Sequence, residues 1–119
     1  MSRSNPHVYV AGHKAPITCL RLTYSGSRVV TGSEDTTVII FCAITGAVVA
    51  KLSHHVASIE CLAVTHKEDF LISGSSIGVV VVSRFDSGQM IQRLENHRGM
   101  ISAVVVNRGD DVFVTGMSG

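Results

Sequence analysis

Apolar and polar positions alternate along ITCLRLT (Ile17–Thr23), where Leu20 and Leu22 interleave with Cys19, Arg21 and Thr23. That two-residue period belongs to a strand with unlike faces. YSGS then marks a turn, and RVVTGS (Arg28–Ser33) reads as a short second strand. TVIIFCAI (Thr37–Ile44) is a continuous β-branched run, the pattern of a strand covered on both faces. Thr45-Gly46 turns the chain again, and AVVAKL (Ala47–Leu52) supplies a fourth strand. The same series returns as IECLAVT, FLISGS, GVVVVSRF and QMIQRLE, and then begins once more as ISAVVVN and VFVTG. No helical spacing is sustained, and Gly and Ser interrupt the chain about every ten residues. The pattern predicts an all-β fold.

The return is exact in register. An offset of 42 relates His13, His55 and His97, then Ile17, Ile59 and Ile101, then Gly32, Gly74 and Gly116. It also relates Cys19 to Cys61, Leu20 to Leu62, Ser33 to Ser75 and Gly46 to Gly88, with no gap needed. Four antiparallel strands in a unit of about 42 residues make one blade of a β-propeller.

The residues of the first unit resemble the WD40 repeat family. Gly12-His13 is similar to its opening pair, and VVTGSEDTTVIIF to the core of its second and third strands; the resemblance covers residues 7–119. The family's Trp-Asp dipeptide would fall at Phe41-Cys42 and Ser83-Arg84, and the chain has no Trp. The opening pair becomes His54-His55 and Asn96-His97 in later units. The expected fold is a partial WD40-type propeller of about two and a half blades whose ring is not closed. Residues 1–12 are expected to form a tail and the outer strand of a neighbouring blade. Residues 13–53 form one blade, 54–95 a degenerate second, and 96–119 the first half of a third. The stretch HVYVAG either closes the ring or is a cut edge.

By this resemblance, His13, Thr31 and Asp35 form a hydrogen-bonded chain within the first blade, stopping at Phe41, which has no side-chain N–H. The second unit keeps His55 and Ser73, but Ile77 and Ser83 cannot complete the chain. A neutral hydrogen bond is worth only about 0.5–1.5 kcal/mol, whereas each buried Val or Leu contributes about 1.5–3 kcal/mol. The polar network can therefore decay while the apolar faces persist. Those faces need neighbours, and two units and a half leave two of them open, so the chain reads as a fragment of a longer propeller.

Composition narrows the function. The 119 residues are 45% hydrophobic and 16% charged, with a net charge of +1 and no run of like charge. This offers no electrostatic footprint for nucleic acid or a membrane surface, and no segment has the length of a membrane span. Three cysteines do not make a disulfide framework, so an intracellular, cytoplasmic setting is expected. His13, His55 and His97 lie on successive blades, too far apart to share a metal ion. Ser73–Gly78 (SGSSIG) lacks both the nucleophile elbow and the lysine of a phosphate loop; Gly74 and Gly78 read as turn residues. Strand-one segments Ile17–Thr23, Ile59–Thr65 and Ile101–Asn107, next to the central channel, are mostly apolar. No catalytic residue, cofactor or metal is expected.

What the resemblance implies is a non-catalytic protein-interaction scaffold, binding other proteins or peptides through rim loops. Those loops hold Lys14, Glu34, Ala57, Ser76, Arg98 and Gly99. The alternative is a sensor or autoinhibitory propeller appended to an enzyme or NTPase outside these residues.

Overall fold

The computed structural model describes residues 12–95, 101–106 and 112–116, with side chains at 12–95, Ile101 and Val104. Its first sheet takes β1 (Ile17–Leu22), β2 (Arg28–Ser33), β3 (Val38–Cys42) and β4 (Val48–Leu52) in that spatial order. The second sheet repeats this with β5 (Ile59–Val64), β6 (Phe70–Ser75), β7 (Val80–Arg84) and β8 (Met90–Leu94). A third pairs β9 (Ile101–Val106) with β10 (Val112–Gly116). Every pairing is antiparallel, and the irregularities recur as well: Ile17/Cys19 matches Ile59/Cys61, and Ile40/Phe41 matches Val82/Ser83. The all-β expectation holds.

Some strands are shorter than the sequence pattern suggests, because turn bonds capture their ends. Thr23 leaves β1 to accept from Gly26 N–H at 2.9 Å, and its hydroxyl takes the Arg28 N–H at 3.2 Å. After β3, Gly46 N–H donates to Cys42 O at 2.8 Å, so Ile44 lies in an exposed turn.

Between the first two sheets lies a core of Val30, Val38, Ile40 and Leu52 against Ile59, Leu62, Leu71 and Phe85. The next junction packs Cys61, Ala63, Ile72 and Val80 against Ile101 and Val104. The middle sheet is thus apolar on both faces, as the β-branched run of its third strand requires. At the innermost strands the Thr18 hydroxyl donates to Ile59 O, and the Cys61 thiol to Ile101 O at 3.4 Å.

Two glycines set how closely the sheets approach. A Cβ on Gly32 would stand 2.6 Å from Ile59 Cγ2 and 2.8 Å from Cys19 Sγ. On Gly74 it would stand 2.5 Å from Ile101 Cγ2 and 2.7 Å from Cys61 Sγ. Gly78 is a turn residue at φ 84°, but the reading of Gly74 as one is corrected: it lies inside β6. The isoleucine of the following sheet occupies the space a side chain would need.

Candidate functional site

The segment leading into β1 (residues 12–16) and the connection from β2 to β3 meet on one rim of the first sheet. Ser33, the last residue of β2, lies within hydrogen-bond reach of two loop carbonyls, Ala15 O at 3.1 Å and Pro16 O at 3.0 Å. Glu34 N–H donates to Pro16 O at 3.1 Å. Asp35 then turns inward as the common acceptor. Its Oδ2 receives Lys14 N–H at 2.8 Å and His13 Nδ1 at 3.1 Å, while its Oδ1 receives Thr37 N–H at 2.9 Å and the Thr37 hydroxyl at 2.6 Å. A carboxylate only accepts, so His13 donates from Nδ1, and Nε2 in the neutral ring accepts from Thr31 Oγ1 at 2.7 Å. Burial alone would raise the Asp35 pKa. The bonds from Thr37, Lys14 and His13 outweigh it and hold the carboxyl well below the usual range.

The structure therefore brings His13, Thr31 and Asp35 together, adds Thr37, and leaves Lys14 and Glu34 exposed on the rim they brace. Phe41 is buried. It contributes apolar contact and has no side-chain N–H to donate.

The second sheet keeps the backbone of this rim and loses its carboxylate. Ser76 N–H donates to Ser58 O at 2.9 Å, which ties the loop of Ala57 to that of Ser76; both residues are half-buried. Ser75 Oγ accepts from Val79 N–H at 3.2 Å and Ile77 N–H at 3.4 Å. His55 Nε2 meets Ser73 Oγ at 2.7 Å, but its buried Nδ1 has no hydrogen-bond partner. Burial, then the positive neighbours Arg93 and His54, lower the His55 pKa to about 4. His54 is itself structural: Nε2 bonds Gly88 O at 2.8 Å and its carbonyl accepts from Arg93 at 3.0 Å. Arg98 and Gly99 lie outside the described residues, as does HVYVAG up to Ala11.

The cysteines are unbridged. Burial raises the thiol pKa of Cys19, and lifts that of Cys61 to about 11. Cys42, in the turn after β3, is drawn down to about 7 by Thr45, through its side chain and then its N–H. Among the described residues no three His, Cys, Asp or Glu side chains gather in metal-binding proximity. No described helix is long and apolar enough to cross a membrane.

Sequence reasoning missed two features. Thr37 could have been found from its place two residues after a turn Asp. A groove at the opposite end of the sheets, lined by Val49, Glu68 and Asp86 among others, left no such signal.

Comparison with known proteins completes the picture. Residues 5–42 match the family model described as WD domain, G-beta repeat. No curated protein matches the chain. Among solved structures, the crystal structure of RRP9 WD40 repeats and the structure of U3-55K each superpose with a TM-score of 0.84 at 22% identity. Each match covers 89% of this chain but only 34% and 35% of those chains, so this chain spans about a third of their length.

Proposed function

From a chain that carries a WD40 repeat and folds as WD40-type blades whose sheets are not closed, we propose a non-catalytic protein-interaction module within a longer propeller. The WD40 fold generally serves as an interaction scaffold, and fold alone does not choose the surface. The observation that carries the proposal is the braced rim. Asp35 ties the two loops of the first blade through partly buried hydrogen bonds with His13 and Thr37 and an exposed one from Lys14 N–H, while the Lys14 and Glu34 side chains lie exposed. Ala57 and Ser76 continue that rim on the next blade. Exposed side chains on loops held rigid lose little conformational freedom when a partner binds.

The longer propeller is supported by an uncovered face. Leu20 and Leu22 are 49% and 59% exposed, whereas Leu62, equivalent to Leu20, is 0% exposed beneath its neighbour. The intracellular setting belongs to the same proposal, resting on the cysteine content.

The test compares the wild-type chain with a rim variant carrying Lys14→Glu, Glu34→Lys, Ala57→Arg and Ser76→Arg. Crosslinking and mass spectrometry would identify bound proteins, and thermal unfolding would check the fold. Specific partners should be lost with the midpoint nearly unchanged. Identical partner sets for the two proteins would refute the rim.

A further inference from the structure

Where the first two blades meet, at the end away from the rim loops, the sheets part into a groove of about 300 Å³. Its floor is Ile40 and Phe85, both buried in the inter-blade core, and one wall is Val49. Val49 is a consequence of the irregularity in β4. Phe41 pairs with Val48 and Ile40 with Ala50, so Val49 is the unpaired extra residue, and it is 44% exposed. Such a bulge re-aims a side chain and discourages addition of another strand at the edge. The groove is thus shaped for a side chain rather than for strand pairing.

Its margins are charged, and unequally committed. Glu68 already accepts from Ser25 N–H at 2.9 Å and from the Ser25 hydroxyl at 3.1 Å. Arg28 donates one N–H to Ser27 O at 3.1 Å and meets no carboxylate among the described residues. Asp86 is exposed and pairs with no cation there. One junction along, the residue equivalent to Arg28 is Phe70, so this charge pattern is particular to this groove.

We propose that the groove is a second docking site, taking a peptide segment of a partner protein that presents an aliphatic side chain beside a lysine or arginine. This rests on the interaction reading above but uses none of its rim residues. The aliphatic group packs on Val49 and the exposed edge of Phe85, above the buried Ile40. The adjacent cation meets Asp86, and the remaining N–H groups of Arg28 donate to a peptide carbonyl.

The experiment is an NMR titration of the full chain with the capped peptide acetyl-Gly-Gly-Lys-Leu-Gly-Gly-amide and its counterpart with Glu for Lys. Amide shifts should centre on Val49, Glu68, Phe85 and Asp86. The Lys peptide should bind roughly three- to fivefold more tightly at low salt, the size of one exposed ion pair. Asp86→Lys, at an exposed position, should reverse the preference while leaving thermal unfolding unchanged. Equal affinities, an unreversed preference, or no shifts at about 10 mM peptide, a very weak limit, would overturn the site. So would concentration-dependent shifts without peptide, which would assign the groove to a second copy. Shifts confined to Lys14, Glu34, Ala57 and Ser76 would overturn it and leave the rim proposal standing. The rim variant should leave the groove shifts intact.

Discussion

His13 and His55 hold the same place in successive blades, yet only His13 has a carboxylate to receive its Nδ1 proton. The turn that would carry one is preserved. Thr36 and Gly78 are equivalent and share a left-handed backbone, at φ 77° and 84°. Ile77→Asp should therefore restore the missing partner, since Ile77 is 54% exposed and nothing buried is lost. Its gain should be about 0.5–1.5 kcal/mol at neutral pH by urea denaturation, and the His55 pKa should climb from about 4 in a ring-proton titration. An unmoved titration would rule out the transferred geometry. In the wild type, the unfolded His55 takes up its proton near 6.5 and the folded one only near 4. Stability present above pH 6.5 is consequently lost as pH falls toward 4. Asp35 acts in the same direction: its folded pKa lies below 3.8, so its contribution is complete above that value and fades below it. Ile77→Asp should flatten the part of the acid loss above pH 4. Thr36 permits a separate test, because a β-branched residue at positive φ is strained. Thr36→Gly should gain about 0.5–1 kcal/mol in the same assay. The His13, Thr31 and Asp35 set was legible because three residues align with a known pattern. The orphaned nitrogen was legible only as a missing Asp, since burial decides whether water replaces it.

At the scale of elements, strand order and register could be read from the 42-residue offset because alternation and turn chemistry are local. The role of Gly74 could not. A glycine in a strand and one in a turn look alike in one sequence, and what forbids a side chain here is Ile101 in the next sheet. Gly32→Ala should cost about 1–3 kcal/mol through overpacking. Ile59→Ala in the same chain should make the two losses less than additive, because it removes the Cγ2 that the new methyl meets at 2.6 Å. Chemical denaturation of the four proteins of that cycle measures the coupling, and strict additivity would reject the packing account. The β4 bulge was hidden for a related reason. AVVAKL alternates too little to announce a bulge, and only the pairing of Phe41 with Val48 exposes the extra residue.

For the whole molecule, stability is a sum over junctions between neighbouring blades, as in repeat proteins. Identical residues then differ in worth by position alone. Leu20 and Leu62 sit at the same point of β1 and β5, but Leu62 lies buried in the cluster that includes the first blade's Val30, Val38 and Ile40, and Leu20 faces outward at 49% exposure. Leu62→Ala should cost about 2–5 kcal/mol, as loss of a fully buried leucine does. Leu20→Asn with Leu22→Asn should shift the denaturation free energy by no more than about 0.5 kcal/mol, the range of surface changes. The same pair should lower any self-association seen by light scattering, since it removes exposed apolar area. If the Asn pair instead proves as damaging as Leu62→Ala, the chain itself covers that face. No further blade is then needed to cover it.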